Sequence, residues 1–191
     1  MKTNVPIILA SQSPRRKALL SAMEIPFEVI TKAVDESFPP ALSPVQAARY
    51  IAEQKAHAFM DDHPEALVIV ADTVVALNDE VLGKPADAAH ASSMLTGLSG
   101  RAHEVITAVA FVHRQKIYIF HEITEVHFRT LSAAEIDHYI RQYKPFDKAG
   151  AYGIQEWIGM IAVEKIVGSY TNVVGLPTER IYRELQQFVC N

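Results

Sequence analysis

The chain predicts an α/β fold, and three observations carry that expectation. Val5-Pro6-Ile7-Ile8-Leu9-Ala10 is a short apolar run of buried-strand type, and soon after it Ala18, Leu19, Leu20 and Met23 recur at helical spacing. Leu67-Val68-Ile69-Val70-Ala71 is the most strongly β-forming run, and strand-like and helix-like periods alternate around it. With 191 residues, 49% hydrophobic and 21% charged, the chain is long enough for one large α/β domain or two small lobes around a buried core.

Strand meets helix in Ser11-Gln12-Ser13-Pro14-Arg15-Arg16-Lys17. Ser13 suits the N-cap and Pro14 the first helical position, where its missing N–H is no loss. Backbone N–H groups, the positive end of the helix dipole and three basic side chains make this turn a candidate anion site, and the arginine fork matches phosphate oxygens. A solvated basic turn is the alternative. Ile25–Ile30 predicts a second strand with Phe27 and Val29 on one face, leading into Val34-Asp35-Glu36-Ser37 and a Phe38-Pro39-Pro40 turn. The Asp35-Glu36 pair suits either a metal carboxylate or a bare acidic surface. Ser43-Pro44-Val45-Gln46 has capping-box spacing, and its helix runs to about Met60 with Ala48, Ile51, Ala52, Lys55 and Phe59 on one stripe. Lys55 on that stripe either snorkels out or brings its ammonium into a cleft.

Asp72-Thr73 interrupts two apolar strand segments, and a buried aspartate needs a partner or a job. Ligand-facing side chains collect at strand ends in α/β folds, which makes Asp72 a candidate functional residue. Asn78-Asp79-Glu80 reads as a hairpin turn, and Gly83-Lys84-Pro85 projects one ammonium from a chain reversal, a weak phosphate signal by itself. Asp87–Leu98 predicts a helix with Ala88, Ala91, Met94 or Leu95, and Leu98 inward. Two long strands, 104–112 and 116–128, follow around Arg114-Gln115, and Ser132-Ala133-Ala134-Glu135 opens a helix through Ile136, Tyr139 and Ile140 to Tyr143. The stretch 146–156 is irregular, and its Lys148, Gln155 and two glycines suggest close approach to a ligand. Met160–Val167 predicts a strand, Gly168–Gly175 a loop, and Thr178–Val189 a last helix with Ile181, Leu185 and Phe188 inward.

Formal net charge is −4, so a cationic patch is local and a small anion fits better than DNA or RNA. Cys190 is the single cysteine and the eight histidines are scattered, which speaks against disulfides and a zinc site. No P-loop or Rossmann fingerprint is present. No apolar run approaches a membrane span and Pro6, Ser11 and the basic cluster interrupt any signal-peptide core, so a cytoplasmic protein is expected. No linker, repeat or composition shift divides residues 1–191, which read as one domain.

Taken together, Ser11-Gln12-Ser13-Pro14-Arg15-Arg16, Val34-Asp35-Glu36, Lys55 in Glu53-Gln54-Lys55-Ala56, Ala71-Asp72-Thr73, Gly83-Lys84-Pro85, Asp147–Gln155 and Gly168–Pro177 resemble the Maf family of nucleoside triphosphate pyrophosphatases along the whole chain. The resemblance implies a mixed twisted sheet in two lobes with a central nucleotide cleft, similar to the inosine triphosphate pyrophosphatase fold. It also implies hydrolysis of the α–β phosphoanhydride bond with a divalent metal. By the same resemblance Asp72 is the general base, Glu36, Lys55 and Lys84 are further catalytic residues, and Ser11, Ser13, Arg15, Arg16, Thr73, Lys148 and Gln155 bind substrate. Mg²⁺ or Mn²⁺ is expected between Asp72, Glu36 and the phosphates, since hard oxygen ligands suit those ions. Arg15, Thr73 and Gln155 match the branch acting on dTTP and UTP. A sister branch acting on 7-methyl-GTP carries a tryptophan after Ser-Pro. The family also implies a homodimer and a link to septum formation, and a nucleotide-binding regulator without turnover is the rival reading.

Overall fold

The computed structural model describes residues 3–189; Cys190 lies outside them. Its sheet begins with a parallel unit. β1 (Ile7–Leu9), α1 (Pro14–Ala22), β2 (Glu28–Val29), α2 (Pro44–His57) and β3 (Leu67–Leu77) wind so that β1 lies between β2 and β3, parallel to both. The remaining strands pair antiparallel: β4 (Glu80–Leu82) folds back on β3, and β5 (Ala102–His113), β6 (Lys116–Phe128) and β7 (Val163–Val167) extend the sheet in the order β2-β1-β3-β5-β6-β7. The result is a seven-stranded sheet, mixed as the family resemblance implies.

Helices cover it on the faces that the period-2 pattern leaves apolar. On β3, Val74 and Ala76 pack with Ile106 and Ala108 of β5 beneath Ala48, Ile51 and Ala52 of α2. On the other face Ile69 and Ala71 pack with Leu20 of α1 and with Ile181 and Leu185 of α7 (Thr178–Val189). A further core joins α3 (Ala88–Leu98) and α4 (Ala133–Tyr143) to Val105, Val126 and Phe128. The sequence signals for the helix starts are realised: Ser13, Ser43, Asp87 and Ser132 each accept a bond from the third residue on, and Ser43 and Ser132 form complete capping boxes with Gln46 and Glu135.

Several local expectations are corrected. β2 is two exposed residues rather than Ile25–Ile30, because β1 offers it only a short edge and Pro26 has no N–H to donate. Asp72-Thr73 does not interrupt a strand: β3 runs through it for 11 residues. The expected strand from Met160 begins only at Val163; Trp157–Ala162 is helix α5, which buries Ile158 and Ala162 and leaves Met160 exposed. The expected loop after Gly168 contains helix α6 (Tyr170–Val174), capped by Ser169. Ala18 and Ala88 are exposed rather than inward, and Phe188 is half exposed, edge-on to Phe111. No helix among the described residues is long and apolar enough to cross a membrane.

Both short helices depend on tertiary contact, since five or six residues cannot pay nucleation alone. In α5 a Cβ on Gly159 would stand 1.7 Å from the Ile154 carbonyl oxygen, so the helix packs backbone to backbone on the segment leading to Gln155. Gly159→Ala is expected to destabilise the fold by about 2 kcal/mol or more, through forced backbone movement. At roughly 2–4 °C per kcal/mol for a chain of this size, thermal unfolding will read the loss directly.

Candidate active site

The sheet positions the site through a gap. On one edge of β3, β1 pairs only with residues 67–69 and β4 only with 75–77, leaving residues 70–74 without a strand partner on that side. A cleft of about 670 Å³ opens at this gap, a size suited to a small-molecule ligand. Asp72 and Thr73 lie at its floor, in mid-strand rather than at a strand end. Being adjacent on a strand, they face opposite sides of the sheet.

Asp72 points toward α2, where Lys55 sits one turn beyond Ile51. Lys55 Nζ donates to Asp72 Oδ1 and to Glu36 Oε1, each at 2.7 Å, and Lys84 Nζ donates to Glu36 Oε2 at 2.6 Å. Lys55 thus enters the cleft rather than snorkelling away from it, with only 15% of its side chain exposed. Its charge answers the cost of burying Asp72, whose own side chain is 11% exposed. Burial works to raise the Glu36 carboxyl, but the hydrogen bonds and charges of Lys55 and Lys84 outweigh it and hold the group at about 2. Asp35 does not join them; it closes a local turn onto Ser37.

Thr73 points toward the α1 side. Its hydroxyl accepts from Arg16 Nη2 at 3.0 Å, and Arg16 Nε donates to the Gly175 carbonyl at 2.8 Å. Gly175 caps α6 at φ +122°, a conformation that L side chains rarely adopt, while the space beside it would admit a Cβ in ordinary contact with Thr73 and Arg16. The basic turn is therefore less open than its sequence suggests. Pro14 has no N–H, Ser13 Oγ caps the Arg16 N–H, and Ser11 Oγ takes the Ser13 N–H. Arg16 is held inward, Arg15 reaches across to Asp147 at 3.4 Å, and exposed Lys17 does not line the cleft.

The opposite wall is the stretch 146–156, which contains a 3-10 turn at Ala149–Ala151. Lys148 is buried yet ion-paired with Asp147 at 2.8 Å and Glu156 at 3.2 Å. Glu156 also accepts from the Tyr139 hydroxyl, which in turn accepts from the Gly153 N–H at 3.1 Å. Burial and the bond to Glu156 push the Tyr139 hydroxyl well above its ordinary range, so it stays a donor. Gln155 lines the cleft, and its buried Oε1 has no hydrogen-bond partner. Sequence reading placed Tyr139 in the core but missed its bond, and missed Glu156 altogether.

Ser11, Ser13, Arg15, Arg16, Glu36, Lys55, Asp72, Thr73, Lys84, Lys148 and Gln155 all line this one cleft. Asp72 and Glu36 are its two linked carboxylates, both reached by Lys55 Nζ. Two hard oxygen donors fit Mg²⁺ or Mn²⁺, ions that complete their shells with water and substrate phosphates. Among the described residues no group of three or more His, Cys, Asp or Glu is placed to hold a metal ion.

A family model described as Maf-like protein matches residues 6–188. A Phocaeicola vulgatus protein named dTTP/UTP pyrophosphatase is 51% identical over 183 residues, covering 95% of each chain. Proteins of the same name from Flavobacterium psychrophilum and Cytophaga hutchinsonii are 49% and 47% identical, covering 94% and 96% of this chain and 92% and 84% of theirs. Among solved structures, Ham1 proteins from Staphylococcus aureus and Coxiella burnetii align at 16% and 19% identity with TM-scores of 0.42 and 0.44. They cover 64% and 65% of this chain and 71% and 73% of their own.

Because Glu36 ionises far below its ordinary 4.5, its links to Lys55 and Lys84 stabilise the folded state above pH 4.5 and are lost as pH falls toward 2. Unfolding followed against pH should steepen across that window. Glu36→Gln should flatten this part of the profile, and an unchanged slope would separate Glu36 from the acid response.

Proposed function

We propose, because this chain belongs to the Maf family, that it is a pyrophosphatase of dTTP and UTP, releasing the nucleoside monophosphate and pyrophosphate. The activity follows from relatives of that name at 47–51% identity over nearly the whole chain. The observation that carries the mechanism is the linked set Asp72–Lys55–Glu36–Lys84 on one wall of the cleft.

Attack of water on the α-phosphorus forms one P–O bond and breaks the bond to the β-phosphate, and the water must lose a proton as it adds. Lys55 engages Asp72 Oδ1, and we assign Oδ2 as the atom that takes this proton. Lys55 and Lys84 are ammonium groups able to exchange carboxylate for phosphate oxygens as charge builds on the departing pyrophosphate. Arg15, beside the α1 N-terminus, offers a planar fork to the same phosphates. Asp72 and Glu36 would hold Mg²⁺ or Mn²⁺, which supplies further neutralisation of phosphate charge when bound. Lys148 is fixed by Asp147 and Glu156 at the facing wall, from where its ammonium would reach substrate oxygens.

Thr73 and Gln155 bring a hydroxyl and an amide to the cleft, groups suited to the O4, N3–H and O2 edge of thymine or uracil. Cytoplasmic location belongs to the same proposal, as do pairing of two copies and a part in division arrest, which rest on the family resemblance alone.

The test is pyrophosphate release from dTTP, UTP, CTP, 7-methyl-GTP and the purine triphosphates, with Mg²⁺ or Mn²⁺. Release confined to dTTP and UTP is expected, with Asp72→Asn lowering the rate by roughly 10² to 10⁴ if it acts as general base. Wild-type turnover from that variant would sink the role of Asp72, and binding without release from any nucleotide would favour a regulator. EDTA should abolish release, and added Mg²⁺ or Mn²⁺ restore it. Activity retained in EDTA would remove the metal from the proposal.

A further inference from the structure

Thr73 is the cleft end of a hydrogen-bond chain that runs into the core. Arg16 Nη2 donates to Thr73 Oγ1 at 3.0 Å, Thr73 Oγ1 lies 3.0 Å from Thr107 Oγ1, and Thr107 Oγ1 donates to the Asn172 carbonyl at 2.9 Å. Thr107 is fully buried on β5, opposite Thr73 in the strand register. Asn172, also fully buried, is fixed in α6 by donating to the Val105 carbonyl at 3.0 Å and to Thr124 Oγ1 at 2.9 Å. Its carbonyl accepts a second bond from the Gly175 N–H at 3.0 Å, using both lone pairs.

Proton counting gives this chain a direction. A hydroxyl has one proton to donate and two lone pairs to accept with, a carbonyl only accepts, and a guanidinium only donates. Thr107 commits its proton to Asn172, so in the Thr73–Thr107 contact the donor is Thr73. Thr73 accepts from Arg16, which leaves its oxygen one lone pair and no proton for the cleft. Reversing the order would break the buried Thr107–Asn172 bond, against the mutual reinforcement of a continuous chain.

We propose that Thr107 is a positioning residue for base selection: by accepting the hydrogen bond from the Thr73 hydroxyl, it makes Thr73 an obligate acceptor in the cleft. Thymine and uracil carry N3–H and satisfy such an acceptor, whereas cytosine presents a lone pair at N3 and opposes it. Gln155 does not supply this discrimination alone. An amide presents either its oxygen or its nitrogen by turning over, and its Oε1 is held by no protein group. The fixed polarity belongs to Thr73, and its source is Thr107. This inference rests on reading the cleft as a dTTP/UTP site.

The experiment measures kcat/KM for UTP and CTP in competition, for the wild type and for Thr107→Val, Thr107→Ser and Thr73→Val. With valine at 107 the Thr73 proton loses its acceptor and turns toward the cleft, where it can meet N3 of cytosine. The UTP-over-CTP ratio should then fall by about 10-fold or more, the scale of one mismatched polar contact. Thr107→Ser keeps the hydroxyl and should keep the ratio. Adding Thr107→Val to Thr73→Val should lower it no further, because the two act as one unit. Thr107→Ala provides the same readout should valine prevent folding, and a ratio is insensitive to how much protein is folded. A ratio unmoved by loss of the hydroxyl, a fall with serine equal to that with valine, or a wild type that does not prefer UTP overturns the role of Thr107. Failure of the wild type to release pyrophosphate from UTP would instead overturn the pyrophosphatase reading.

Discussion

The open edge of β3 is the constraint on which the site depends. Between the end of β1 and the start of β4 the strand lacks a neighbour on that side, while β5 secures the other edge through Asp72↔Ala108 and Thr73↔Thr107. Two adjacent residues on a strand must face opposite ways. At an ordinary position one of this pair would be lost to the core, but at the gap both reach the same cleft from opposite faces. One dipeptide therefore brings a carboxylate to α2 and Glu36, and a hydroxyl to α1 and α6.

Those two directions carry different electrostatics. On the Asp72 side two carboxylates and two ammonium groups balance in sign, and Lys55 has two acids within 2.7 Å. Such a set is exchangeable: each ammonium can trade a carboxylate for a phosphate oxygen without leaving a bare buried charge, which would be costly. On the Thr73 side the interactions are directional rather than balanced. Arg16, Thr73 and Thr107 each donate a hydrogen bond to the next group inward, ending on the Asn172 backbone carbonyl. That geometry suits distinguishing one hydrogen-bonding edge from another, a task for which diffuse charge is poorly fitted.

Much of the fold was legible because its signals are local. Ser13-Pro14 and the Ser43 and Ser132 capping boxes mark helix starts through bonds within four residues, and the 116–128 strand shows its buried face as Thr124, Val126 and Phe128. α5 and α6 were not legible, because their stability comes from elsewhere: Gly159 on the Ile154 backbone, Asn172 on Val105 and Thr124. For the site, the motifs gathered the cleft-lining residues but not their connections. Lys55 left two readings open until Asp72 and Glu36 were seen around it. Thr107 and Tyr139 are a polar atom on a strand and on a helix, and nothing in their spacing reveals a partner 65 or 17 residues away.

The two arginines of the basic turn show that a local motif does not fix where its side chains go. In sequence they are equivalent neighbours at a helix start, both suited to an anion. Helical geometry separates them by about 100°, sending Arg16 toward Gly175 and Thr73 and leaving Arg15 beside the exposed carboxylate of Asp147. Arg16 already gives two of its five N–H donors to protein oxygens, and turning those two to phosphate would leave the Gly175 carbonyl and Thr73 short of a bond. Arg15 has one long contact to an exposed acid and gives it up at little cost. Arg16 thus ties α1 to α6 through the Gly175 carbonyl and donates to the Thr73 hydroxyl whose direction Thr107 sets, while Arg15 is the less committed of the two.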